Sequence, residues 1–292
     1  MLAIRRRLCL LVALMASPAN SLRKVLVTGA NKGIGKQICA KILADVADSF
    51  VYLGARDAGR GAAAVASIID ANPAAAGRVE LLEMDTTDDA SVAAAAAKVD
   101  GPLHGLCNNA GVGFGRSIEE TLAPNYYGAK RVCAHFLPLV DKADGRVCNI
   151  GSASAPNFVA RLTPELQDFF TSSATTLAAL EATLDEYAAA PDYEGVAYGL
   201  SKASLHVLTM NLQKEHPELR INTASPGYVL TDLTAGVGAS KTPEQSNCHV
   251  APLHLLFGAA DDVARGWYYG SDAVRSPLDR YRGPGEPPYL GD

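Results

Sequence analysis

No C-x-x-C or similar metal spacing occurs among the six cysteines of this 292-residue chain. That absence argues against a zinc ribbon or a dithiol redox centre. Cys107 and Cys148 fall in apolar runs that read as core strands, so they are expected to be buried reduced thiols rather than disulfide partners or ligands. There is no excess of basic side chains: 26 Lys and Arg stand against 31 Asp and Glu, a net charge of −5. Nothing in that balance recommends nucleic acid as a partner. The most membrane-like run, residues 8–16, is far shorter than the roughly 20 residues a helix needs to span a bilayer. No stable membrane span is expected. No internal repeat of solenoid length is present.

What remains is globular. Hydrophobic residues make up 48% of the chain and charged residues 20%, enough to bury a full core. Only the N-terminus differs in kind. Arg5, Arg6 and Arg7 precede the apolar run, and Ser17-Pro18-Ala19 follows it. A basic start, a short hydrophobic stretch and small residues are the order of a signal peptide. Three arginines without an acid also suit an organelle transit peptide. Residues 1–19 are therefore expected to be a leader to the secretory pathway or an organelle. The alternative is an uncleaved apolar extension, with the protein in the cytoplasm.

Strand and helix patterns alternate beyond the leader. Strands are expected at 24–28, 50–54, 79–84, 103–107, 146–150, 220–224 and 266–269. Helices are expected at 33–44, 58–71, 90–99, 122–140 and 198–214. Repeated strand–helix–strand units imply an α/β fold, a doubly wound parallel sheet of the Rossmann type. A single domain over residues 23–292 accommodates it. Residues 155–196 do not fit the repeat and read as a helical insertion: Thr163 can cap, Pro164 suits a first turn, and Leu177, Leu180 and Leu184 mark one helix face.

Glycines punctuate the first strand–helix turn, Thr28-Gly29-Ala30-Asn31-Lys32-Gly33-Ile34-Gly35. Lacking Cβ atoms, Gly29, Gly33 and Gly35 let the backbone turn sharply and approach a pyrophosphate at the helix N-terminus. The second strand ends in Arg56, 21 positions past Gly35. An acid there holds a ribose hydroxyl, whereas an arginine accommodates a 2′-phosphate. Arg56 and Lys32 together favour NADPH; the alternative gives the ribose to Asp57. Asp85 can accept from an adenine amino group or cap its own turn. Asn109, in Asn108-Asn109-Ala110-Gly111, can bond neighbouring backbone, and Ala110 and Gly111 admit the ribose. Within Ser225–Thr231, backbone at Pro226, Gly227 and Val229 and the side chain of Thr231 can fix the nicotinamide amide.

Tyr198 and Lys202 lie four apart on one helix face. A neighbouring ammonium lowers a phenol's pKa, so the pair makes a proton donor to a developing alkoxide. Ser152 can bond the same oxygen, and Asn125 can hold a water feeding Lys202. Tyr198 and Lys202 are expected to touch the cofactor as well, the ammonium through the nicotinamide ribose.

In order, over residues 24–232, these motifs resemble those of the short-chain dehydrogenase/reductase superfamily. Asn31–Gly35, Ala55-Arg56-Asp57, Asn125-Tyr126-Tyr127-Gly128 and Thr163-Pro164-Glu165-Leu166-Gln167 resemble its NADPH carbonyl reductase subgroup in particular. In that subgroup, as here, an insertion parts the serine from the tyrosine by 46 positions. The resemblance implies reduction of a small ketone, aldehyde or quinone with NADPH. It also implies a monomer, because the insertion packs beside the pocket and covers the face through which many family members dimerise. Gly151 departs from the subgroup, which often has serine there. The competing reading is a catalytically silent NADPH sensor or scaffold.

Overall fold

The computed structural model describes residues 22–190 and 194–291; the leader, residues 1–19, lies outside them. Seven strands, β1 (Arg23–Val27), β2 (Ser49–Ala55), β3 (Val79–Glu83), β4 (Gly105–Asn108), β5 (Arg146–Ile150), β6 (Arg220–Ala224) and β7 (Tyr268–Tyr269), form one sheet. Their order is β3-β2-β1-β4-β5-β6-β7, and every neighbouring pair is parallel.

Strand alternation sorts the core into two layers. Leu26, Leu106, Val147 and Ile221 point to one face, with Val132, Phe136, Leu205 and Leu208 packed on them. Val25, Val27, Cys107 and Cys148 point to the other, against Ile38, Ile42, Leu255 and Leu256. Cys107 and Cys148 are indeed free and buried, and so are Cys39, Cys133 and Cys248. Burial pushes the Cys148 thiol well above its usual range, which keeps it unreactive.

The helices are α1 (Gly33–Asp45), α2 (Ala58–Ala71), α3 (Asp89–Ala96), α4 (Ile118–Leu122), α5 (Ala129–Phe136), α6 (Ser154–Val159), α7 (Pro164–Thr171), α8 (Leu177–Ala189), α9 (Ala197–Glu215) and α10 (Val250–Phe257). The single helix expected over 122–140 is four pieces, the last a short 3-10 turn at Leu137–Leu139. It starts early, at a Ser117–Glu120 capping box. A wide π-helical turn, Ala123–Gly128, carries Pro124 and separates α4 from α5. A proline lacks the amide that a regular helical ladder requires, and the wider turn absorbs the loss. The strand expected at 103–107 begins at Gly105, with Leu103 making only an isolated bridge to Val140.

Residues 155–196 are helical as expected. The Thr163 hydroxyl accepts from the Leu166 amide, with Pro164 in the first turn of α7, and Thr176 caps α8 through Ala179. Leu180 and Leu184 are fully buried. Glu181 accepts from the Tyr126 hydroxyl at 2.9 Å and pairs with Lys130. Asn211 of α9 donates to the Thr175 carbonyl at 2.9 Å. The insertion is thereby fastened across the outer sides of α5 and α9.

Candidate active site

Strand order reverses between β1 and β4, and such a switch point leaves a crevice at the carboxyl ends of the strands. A cleft of about 680 Å³ opens there. Its first wall is the loop after β1. Gly29 and Gly33 have φ of 63° and 58°, a region that L side chains rarely enter. A Cβ on Gly29 would lie 2.7 Å from the Ala110 Cα, and one on Gly35 would lie 2.4 Å from Asn109 Nδ2. Asn109 donates to the Thr28 and Gly29 carbonyls at 2.9 and 3.1 Å. Thr28 Oγ1 in turn accepts from the amides of Asn109 and Ala110. The turn after β4 thus locks the glycine loop against it. Lys32 at the N-cap of α1 supplies no capping side chain, and the first turn has no acid. The leading amides of α1 therefore face the cleft with a partial positive charge.

Arg56 directly follows β2 on the cleft wall, and its exposed side chain makes no hydrogen bond among the described residues. Asp57 is differently placed. Its carboxylate caps α2 through the Arg60 amide at 2.8 Å and pairs with the Arg60 guanidinium at 3.2 Å. That engagement with Arg60 sets Asp57 apart from Arg56, which has no such partner. Lys32 lines the same wall but is ion-paired with Asp232, from the loop after β6. Asp85 also lines the cleft while capping its own turn, accepting from the Thr87 amide and hydroxyl at 2.9 and 2.7 Å. Burial alone would raise its carboxyl; these bonds, with the more distant Arg56, hold it below the usual range.

The glycine loop, Arg56, Asp85, Asn109, Ala110 and Gly111 border one half of the cleft; Ser152, Tyr198, Lys202, Pro226, Gly227, Val229 and Thr231 border the other. Lys202 is buried, and its Nζ donates to the Ile150 carbonyl at 2.8 Å. Burial lowers its pKa to about 8. The ammonium stands 5.8 Å from the centre of the Tyr198 ring. Burial raises the Tyr198 phenol above its ordinary value, and the Ser152 hydroxyl beside it pulls only partly the other way. The lowering by Lys202 expected from the sequence is therefore not seen in the protein alone, where the ammonium is directed at Ile150. A raised phenol is fully protonated at neutral pH, the form that a proton donor needs.

Asn125 sits in the π-helical turn and does not line the cleft. Its Oδ1 accepts from the Val112 amide at 2.8 Å, and its Nδ2 donates to the Val112 carbonyl and to Ser201 Oγ. That side chain ties the turn after β4 to α9. Ser201, between Tyr198 and Lys202 on α9, is the link the sequence gave no reason to single out. Phe114 is likewise new: half exposed at the mouth, its ring lies 4.7 Å from that of Tyr198. Tyr228 is the other exposed aromatic lining the cleft. Gly151 also finds a reason here. A Cβ on it would lie 2.5 Å from Thr223 Cγ2 and 3.1 Å from Nε2 of buried His206, so the serine of the subgroup has no room. Among the described residues, none of 155–190 lines the cleft. Ser154, the first residue of α6, does line it, and α6 through α8 pack against α9.

Residues 23–164 match the family model of the short chain dehydrogenases. Carbonyl reductase 1 (NADPH) of Macaca fascicularis is 32% identical over 251 residues, 77% of this chain and 88% of that protein. The (+)-neomenthol dehydrogenase of Arabidopsis thaliana is 28% identical, covering 86% of this chain and 97% of the other. Among solved structures, salutaridine reductase from Papaver somniferum superposes with a TM-score of 0.71 at 25% identity, over 85% of this chain and 99% of the other. Sheet order, cleft and relatives agree: this chain belongs to the short-chain dehydrogenase/reductase superfamily, in its carbonyl reductase-like subgroup.

Proposed function

We propose that this protein reduces a small ketone, aldehyde or quinone to the alcohol with NADPH. The observation carrying this reading is the convergence of Tyr198, Lys202 and Ser152 on the cleft that the glycine loop and Arg56 also border. The cradle suits the dinucleotide: Gly29, Gly33 and Gly35 keep it free of side chains, the α1 amides face it, and Arg56 is left for a 2′-phosphate. Bound NADPH supplies the hydride. Tyr198 donates its phenolic proton to the carbonyl oxygen as negative charge develops there. Ser152 donates a hydrogen bond to the same oxygen. Lys202 holds a ribose hydroxyl and passes a proton toward Tyr198 from a water at the Asn125 carbonyl. Phe114 and Tyr228 offer flat apolar faces that favour planar carbonyls. A silent NADPH sensor would not need all three polar groups brought together in the cleft.

The test is NADPH oxidation by protein lacking residues 1–19, over dicarbonyls, quinones and simple ketones, with Arg56→Asp in parallel. The variant should bind NADPH about tenfold or more weakly, through a lost charge-assisted contact and added repulsion, with NADH little changed. An unchanged NADPH/NADH ratio would remove Arg56 from the site. The anchored insertion also leads us to expect a monomer; a stable dimer in sedimentation equilibrium, built on α5 and α9, would contradict that.

A further inference from the structure

We propose that Asp232 sets the affinity for NADPH by competing with the cofactor's 2′-phosphate for Lys32. The proposal rests on the NADPH reading above. Lys32 and Asp232 stand 200 positions apart and come from opposite walls of the cleft, the glycine loop and the loop after β6. The walls nearly touch here: a Cβ on Gly33 would lie 3.5 Å from Thr231 Cγ2. Lys32 reaches over this gap and is ion-paired with the Asp232 carboxylate. That contact is the one hydrogen bond of either side chain among the described residues, and it holds the Asp232 carboxyl below its usual range.

Of the cations on the adenosine side, Arg60 is taken by Asp57 and Arg56 has no such partner. Lys32 is therefore the cation whose availability depends on an acid across the cleft. Both its side chain and that of Asp232 are largely exposed, 60% and 78%. An ion pair so exposed is weak, and a dianionic phosphate attracts an ammonium more strongly than a single carboxylate does. Lys32 changes partners when NADPH binds, and the lost pair with Asp232 reduces the net gain. NADH has no 2′-phosphate, leaves Lys32 with Asp232 and incurs no such loss. Asp232 thus lowers the preference for NADPH while leaving NADH unaffected, and it shortens the time the phosphorylated cofactor stays bound.

A double-mutant cycle tests this, with dissociation constants for NADP+ and NAD+ measured by calorimetry on wild type, Asp232→Asn, Lys32→Met and the double variant. Asp232→Asn should tighten NADP+ about three- to fivefold, the range an exposed pair supports, and leave NAD+ unchanged. In the Lys32→Met background the same substitution should do nothing. Weaker NADP+ binding in Asp232→Asn would mean that the pair clasps the cofactor instead. Equal changes for both cofactors, or tightening that persists without Lys32, would reduce Asp232 to a general charge; either result overturns the proposal. Arg56→Asp serves as control. If it alters the NADP+/NAD+ ratio and Asp232→Asn does not, this inference fails and the NADPH reading stands. If neither alters it, both fall.

Discussion

Tyr198→Phe is expected to lose roughly 10²- to 10⁴-fold in kcat on a carbonyl substrate, the usual worth of a positioned general acid, while NADPH binds nearly as before. The substitution removes one oxygen and keeps the ring, so the packing of Phe114 against it at 4.7 Å should survive. Hydride arriving at a carbonyl carbon leaves charge on oxygen, and that oxygen needs a proton in or just after the transition state. Ser152 remains and can still stabilise the charge by hydrogen bonding, but its hydroxyl is too weak an acid to replace the phenol. Steady-state kinetics with separate measurement of the cofactor Kd distinguishes the two effects. Near-wild-type kcat would mean that Tyr198 is not the donor.

Lys202→Met should abolish most turnover yet make the fold more stable at neutral pH. Lys202 is 5% exposed, and burial lowers its pKa from 10.5 to about 8. A shift of that size corresponds to about 3 kcal/mol of strain on the charged form. The sign follows from proton counts. Between pH 8 and 10.5 the unfolded chain binds more protons at this lysine than the folded one, so stability rises with pH across that window. Below pH 8 both states carry the proton and the full cost remains. Methionine keeps the apolar stem and removes the charge; losing the bond to Ile150 returns about 1 kcal/mol. A net gain of about 2 kcal/mol is expected, read as a Tm higher by roughly 4–8 °C for a domain of this size. The gap between wild type and variant should narrow as pH is raised from 8 toward 10.5. A variant less stable than wild type at pH 7 would show that Lys202 is better compensated in the fold than burial implies. The same ammonium should make kcat/KM for reduction fall above about pH 8, where the free enzyme loses it.

His206, one helical turn beyond Lys202, adds an acid-side signature. Burial, reinforced by the Lys202 charge, lowers its pKa to about 3. Its contribution is fully present above pH 6.5 and is lost as pH falls toward 3.

Local chemistry made much of this site legible. Glycines that must take positive φ, an arginine at the end of a strand and a tyrosine–lysine pair at helical spacing each have few reasons to occur together. What escaped notice depends on partners distant in the chain. Lys32 reads as a free cation until Asp232, two hundred positions on, is seen beside it. Nothing in the sequence around Asn125 shows that its side chain bonds Val112 and Ser201. The break between α4 and α5 was signalled by Ser117, Glu120 and Pro124, but the apolar periodicity of 122–140 runs through it. Residues 155–196 are amphipathic enough to read as helices, yet periodicity does not say which neighbour an apolar face meets. Here Leu180 and Leu184 join the core layer that holds Leu205 and Leu208 of α9.

Hydride is expected to pass from NADPH to a carbonyl carbon in this cleft. The most direct test uses NADPH deuterated at the transferable position of the nicotinamide, an activated dicarbonyl, and mass analysis of the product. With a dicarbonyl, one deuterium should appear on the carbinol carbon for each NADPH consumed, and Tyr198→Phe should slow its appearance in step with turnover. No turnover across the carbonyl panel, or NADPH consumption with no deuterium in the alcohol, would contradict the account.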